Sequence, residues 1–405
     1  MQISRMNGAQ LGMLGISRPP ALISKNAARS CLLILGLTVG LSQASFAQDR
    51  PGQGRVTLYG IADTGVEMVT NVGDSRRTAV RMPSVTGSTN SRWGIEGQEP
   101  LGGSLKTVFT LEGGLNLRDG SLPLGKSLFG RQAWMGLQGR YGALTLGRQY
   151  TMTILALRGA NLLGPDIYTG IGSFDSYIPS RNDNAIVYKG TWHGFTAGAS
   201  FSFARDMNGS ISDEGSCAGG PGLACHGWSA MLRYDAERFG VSASYEQQRG
   251  GPEAAASFLN GVPALAFTDS SDTDTHIQLN GHYAAGAFQI GGGWMGRWVH
   301  TSDAGNATPN VQSHQFFLTA AYHLTSAVTV DGGVFRVINH VQDARGTILV
   351  ARTTYAFSKR TAVYGQAGYL FNSARAIYEL SQGPGATPPM GANQLGLMVG
   401  LRHAF

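Results

Sequence analysis

Beyond its first 47 residues the sequence lacks any long hydrophobic run: no later segment approaches the ~20 consecutive apolar residues that a membrane-spanning helix requires. It is also poor in charge, with Asp, Glu, Lys and Arg making up 14% of the 405 residues. The arginines are scattered singly, without basic runs or stacking aromatics in series, so the electrostatic footprint of a nucleic-acid binder is missing. The nine histidines form no metal-ligand spacing; His276 and His282 share one predicted strand, and His193, His314, His323 and His340 stand alone. Cysteine is scarce, at three, and one of them, Cys31, falls in the leader described next.

The first 47 residues read as a secretory signal peptide. Arg5, Arg18, Lys25 and Arg29 supply positive charge with no acid, Leu32 to Leu41 form a short apolar run, and Ser45-Phe46-Ala47 offers small residues at the cleavage positions. Met6 and Met13 are alternative starts within the long basic region. Residues 48–405 are then the mature chain. Removing the leader leaves 27 basic residues against 25 acidic ones, a net charge of about +2 rather than the +6 of the full sequence.

What the mature chain has is glycine and alternation. In Gln394 to Phe405, Leu395, Leu397, Val399, Leu401, His403 and Phe405 fall on one face of a period-two pattern; Gln394, Gly396, Met398, Gly400, Arg402 and Ala404 fall on the other. A period of two means a β-strand. The same pattern recurs in 195–203, 241–246, 276–283 and 315–323, and in each case the second face is too polar for a protein core. One face must meet hydrocarbon and the other water, which predicts a membrane barrel around an aqueous channel.

Turn signals come in two lengths. Short ones lie at 99–103, 138–142, 190–194, 235–240, 285–286, 324–326 and 357–360; longer ones lie near 71–87, 115–127, 150–180, 206–226, 250–272, 300–311, 340–346 and 374–392. Seven short turns alternating with eight longer loops give sixteen strands. The expected fold is all-β, a 16-stranded antiparallel transmembrane β-barrel with 150–180 as its longest loop.

Several pieces, in order and spacing, resemble the Gram-negative general diffusion porins, especially those of β-proteobacteria. They are Val56 to Asp63, Ser91 to Gly97, Gly130 to Leu137, Leu146 to Tyr150, Ser180 to Tyr188 and the Gly400-Leu401-Arg402-His403-Ala404-Phe405 terminus, spanning residues 55–405. The resemblance implies a homotrimer in the outer membrane, with the third long loop folded into each lumen and its acidic residues facing a ladder of wall arginines. Carried over position by position, the wall residues are Arg92, Arg131 and Arg181, with Arg148 as a nearby fourth. The Pro-Glu-Phe-Gly-Gly-like stretch common in that loop is missing here, and Asp166 and Asp175 are its available acids. Phe405 is implied as the signal read by the outer-membrane assembly machinery. Periplasmic chaperones, outer-membrane lipid and lipopolysaccharide are the other implied partners. No cofactor is implied.

Strand parity tests the arginines independently. Arg92 shares a face with Asn90, Gly94 and Glu96, and Arg181 with Asp183, so both point to water. Arg131 falls with Ala133, Met135 and Leu137, and Arg148 with Leu144 and Leu146, which is the apolar parity. Arg233 and Arg352 take the inward parity and could extend the basic wall. Guanidinium groups opposite carboxylates would set a transverse field across a narrow gap and bias which ions pass, with a mild anion preference because arginines outnumber the nearby acids.

Other motifs carry less weight. Gly120 to Ser127 satisfies the phosphate-loop pattern, but a strand rather than a helix follows it, so no helix N-terminus is aimed at phosphate. Cys217 and Cys225 lie in one Gly/Pro-rich outer loop, and export through an oxidising periplasm favours a loop-closing disulfide over zinc binding with His226, since structural zinc wants four ligands. No Ser/His or Asp/His constellation is paired by the sequence, which disfavours a barrel hydrolase. A substrate-specific outer-membrane channel is the alternative to a general diffusion pore.

Overall fold

The computed structural model describes residues 54–84, 87–124, 127–175, 180–204, 224–251, 254–302 and 310–405. The expected leader, Cys217, and the Gly125-Lys126 centre of the phosphate-loop pattern lie outside the described residues.

Sixteen antiparallel staves follow in chain order. The first half comprises β1 (Arg55–Val72), β2 (Arg92–Gly102), β3 (Leu105–Gly114), β4 (Gln132–Gly139), β5 (Gly142–Tyr150), β6 (Arg181–Trp192), β7 (Phe195–Ser202) and β8 (Gly227–Asp235). The second comprises β9 (Phe239–Arg249), β10 (Thr273–Ala285), β11 (Phe288–His300), β12 (Asn310–His323), β13 (Val328–Asn339), β14 (Ala344–Ala356), β15 (Thr361–Asn372) and β16 (Gln394–Ala404). Each stave pairs with the next, and β1 closes the ring: its first half pairs with β2 and its second half with β16. A short strand, Arg77–Arg81, folds back on the end of β1, and Ala254–Ala256 pairs with Leu265–Phe267 inside the loop after β9.

Burial follows the alternation. On β16, Val399 is 66% exposed and Leu397 and Leu401 are also exposed, whereas Gln394 and Met398 are buried. The exposed row continues around the wall through Leu58, Leu144, Leu232, Val241, Leu279, Leu318 and Leu349. Closing the sheet removes every edge, so each backbone donor and acceptor in the staves can be satisfied without water, as a bilayer demands. Among the described residues no helix is long and apolar enough to cross a membrane.

Candidate functional site

The inner wall of β1 to β6 gathers three of the four expected arginines around two shared acceptors. Glu112, on the inward face of β3, takes Arg131 Nε at 2.7 Å, Arg92 Nε at 3.6 Å and a hydrogen bond donated by the Tyr59 hydroxyl at 2.9 Å. The Tyr150 hydroxyl, at the end of β5, accepts from Arg131 Nη2 at 2.7 Å and from Arg181 Nη2 at 3.2 Å. Arg181 also stacks over the Tyr150 ring, 4.7 Å from its centroid. Arg92 and Arg131 therefore share one carboxylate, and Arg131 and Arg181 share one hydroxyl.

Arg131 and Arg148 are buried despite their apolar parity. Arg131 precedes β4 rather than belonging to it, so the alternation that exposes Met135 and Leu137 does not govern it. Arg148 sits at an irregularity in the β5/β6 ladder, where Gly147 has φ +122° and Asn184 has φ +48°. A bulge of this kind re-aims the side chains beyond it. Arg148 stands apart from the other three: it binds Asp183 at 2.5 Å and the Gly130 carbonyl at 2.6 Å.

The two loop aspartates make no ion pair with Arg92, Arg131 or Arg181. Asp166 is fully buried and pairs with Arg352 of β14 at 2.9 Å, while Asp331 of β13 grips the same guanidinium at 2.6 Å. Burial pushes the Asp166 carboxyl up to about 6 in spite of the guanidinium beside it. Asp175, also buried and likewise raised, accepts from the Tyr378 hydroxyl at 2.6 Å and the Leu259 amide at 2.7 Å. Arg352 was readable from parity, but its partner was not, because the pair joins residues far apart in the chain. Arg233, the other inward arginine, is held by Asp235 at 2.6 Å.

Segment 151–175 bonds to staves from β8 to β14, packs Met152 and Ala156 against Ala185 and Val187 of β6, and meets the Gly87 carbonyl through the Ile167 amide at 3.0 Å. It opens with a short helix, Met152–Ala156, capped by the Thr151 side chain. The Met152 amide donates to Ser229 Oγ at 3.0 Å, Gln278 Nε2 donates to the Thr153 carbonyl, and Ser242 Oγ donates to the Ala156 carbonyl at 2.8 Å. Thr319 Oγ1 holds the Ala160 carbonyl at 3.0 Å and Arg352 Nη1 holds that of Leu163 at 3.3 Å. Glycines open seats between these bonds: a side chain at Gly291 would run into the Ala160 backbone, and one at Gly368 or Gly396 into the Tyr168 ring.

Glu112 and Tyr150 are the functional candidates that sequence reading missed. Glu112 carries a signal that could have found it: it ends the inward row Val108, Thr110, Glu112 of β3 as that row's one acid. Cys225 is buried and disulfide-bonded. Among the described residues no group of three or more His, Cys, Asp or Glu could hold a metal ion.

A closed sixteen-stranded barrel with an apolar exterior and a charged interior defines an outer-membrane channel. The chain belongs to the Gram-negative porin family, whose model, described as Gram-negative porin, matches residues 33–375. It is similar to outer membrane porin protein 32 of Delftia acidovorans, at 28% identity over 87% of this chain and 95% of that protein. An outer membrane porin protein of Bordetella pertussis is 27% identical over 89% of this chain and 97% of its own length. Among solved structures, the anion-selective porin from Comamonas acidovorans superposes with a TM-score of 0.70 at 24% identity, over 87% of this chain and all of that one. A trimer form of OmpT, an outer membrane protein of Vibrio cholerae, gives 0.60 at 15% identity, with 87% and 100% coverage. The protein is thus an outer-membrane porin.

Proposed function

We propose that this porin is a passive, non-catalytic general diffusion channel with a mild anion preference, narrowed by segment 151–175 folded into its lumen and lined by Arg92, Arg131 and Arg181. The observation that carries the reading is the sharing of Glu112 by two of these arginines and of Tyr150 by two, so that three guanidinium groups on one wall have a single carboxylate among their bonded partners. On the facing arc, Arg352 is shared by two carboxylates, Asp166 and Asp331, so the local excess there is negative. Opposed excesses across a water-filled gap give a transverse field, focused by the low-dielectric wall. Small hydrophilic solutes align in it; apolar solutes lose ordered water. The anion-selective character of the Comamonas porin agrees with this assignment.

A homotrimer is part of the proposal, supported by the trimer form of the Vibrio protein. So is closure of the outer loop by Cys217 and Cys225, supported by the bonded state of Cys225. Alkylation without reductant should leave the mass unchanged; two alkylated thiols would exclude the bridge. Swelling of proteoliposomes with neutral sugars of graded size tests the channel itself. A smooth size cutoff is expected, and one saturable, outlying solute would replace general diffusion with substrate specificity.

A further inference from the structure

A second group of cations lies inside the barrel, well away from Arg92, Arg131 and Arg181. On β6 the inward row continues from Ala185 and Val187 to Lys189, while Ile186 and Tyr188 are exposed on the outward row. Lys189 stands eight residues beyond Arg181 on this strand, roughly 25 Å nearer the short turns. Directly across the ladder from it is Gly198 of β7, where an added side chain would strike the Met152 sulfur. The next inward pair, Thr191 and Thr196, meets through its hydroxyls at 2.9 Å, and Thr196 in turn pairs with Arg233 of β8.

Segment 151–175 descends to this level. Along β8 its contacts pass from Ser229, which binds Met152, to Arg233, which binds Arg158. Arg233 is fixed from two sides: Asp235 accepts from its Nε at 2.6 Å and its Nη2 at 2.7 Å, and its Nη1 donates to the Arg158 carbonyl. His282 of β10 closes the group, since a side chain at Gly159 would lie 3.1 Å from its ring and 3.4 Å from Arg233 Nη2. The Arg158 side chain is exposed, and it is near enough to Lys189 for the two charges to repel. Asp235 is occupied by Arg233, whereas the side chains of Arg158 and Lys189 make no hydrogen bond or ion pair among the described residues. In this they differ from the arginines around Glu112 and Tyr150, each of which has an acceptor.

We infer that Arg158 and Lys189 form a binding site for small dianionic oxyanions, of which inorganic phosphate is the simplest, in the short-turn half of the lumen. A guanidinium fork and an ammonium carried by two different elements are satisfied together by a ligand whose oxygens point in several directions. Chloride, a single centre, meets them one at a time. The Thr191 and Thr196 hydroxyls beside Lys189 add neutral donors, and Arg233 holds the Arg158 backbone against the wall. The site rests on the proposed path of segment 151–175 through the lumen, and it turns a bias toward anions into preference for one class of them.

The test records single channels of the folded protein, its barrel confirmed by heat-modifiable gel mobility, in about 0.1 M KCl, where charges are screened over about 10 Å. Potassium phosphate or potassium nitrate then replaces part of the KCl at constant ionic strength. Phosphate should reduce the current saturably and nitrate should not. R158Q/K189Q should raise the half-blocking phosphate concentration about tenfold, the scale of losing charge-assisted bonds to one ligand, and R158K/K189R should retain the block. Ion preference is read separately, as the reversal potential in a KCl gradient: a channel that prefers potassium yet is blocked saturably by phosphate would end the proposed anion preference and support this site. A linear, unsaturable dependence on phosphate, equal block by nitrate, or an unshifted half-block in R158Q/K189Q would overturn the assignment.

Discussion

Glu112 is the residue on which the inner charge balance turns. It neutralises part of Arg92 and Arg131 and fixes both in place, so Glu112→Gln should act in two ways. Chloride preference should rise, read as a larger reversal potential in a salt gradient. Local stability should fall, by at most about 3 kcal/mol, because water in the lumen relieves part of the cost of leaving buried guanidinium groups unpaired. Unaltered selectivity would remove Glu112 from the conduction path. Asp166 makes a separate prediction in pH. Its folded carboxyl lies at about 6, above the ordinary 3.8, so the folded state holds the proton more tightly than the unfolded state does. The stabilisation from that proton is complete below about pH 4 and is lost as pH rises through about 6, a difference of roughly 3 kcal/mol at most. The heat-modification midpoint should therefore rise on acidification from pH 7 to pH 4, and Asp166→Asn should flatten that slope. A midpoint that falls in this window and is unaffected by the substitution would contradict the assignment.

At the scale of strands and loops, the sequence was legible wherever alternation ran unbroken. The rows of β16, β12 and β10 could be read directly, and the turns at 139–142, 235–240 and 357–360 fall where Gly and charge signalled them. Legibility failed where the ladder changes. Arg148 is turned inward at the Gly147/Asn184 irregularity, and Arg131 is placed by the segment ahead of β4, so neither obeys its formal parity. The partners of Asp166 and Asp175 were hidden for another reason: they come from β13, β14, the loop after β9 and the last loop, and no local pattern encodes a contact between residues so far apart in the chain. The path of 151–175 also depends on the small residues it packs against. Gly291→Leu should push Ala160 off β11 and unseat the segment, raising single-channel conductance while the barrel still folds. An unchanged conductance would mean that this segment does not limit the pore.

For the molecule as a whole, closure and charge are the two properties that make a channel. Phe405 closes the ring: its amide and carbonyl bond to Gly60 at 3.0 and 3.1 Å, and its ring lies against that glycine. Deleting Phe405 should lower the yield of inserted, heat-modifiable protein more than it alters conductance, and Gly60→Val, which displaces the ring, should act in the same direction. Normal assembly of both variants would show that neither contact matters. The central claim is that the arginines of the inner wall set the selectivity, and the reversal potential of single channels across a tenfold KCl gradient measures it most directly. The unaltered protein should reverse toward the chloride equilibrium potential, and the triple variant R92Q/R131Q/R181Q should move toward zero or beyond it. Cation selectivity in the unaltered protein, or an unmoved potential in the triple variant, would contradict the account.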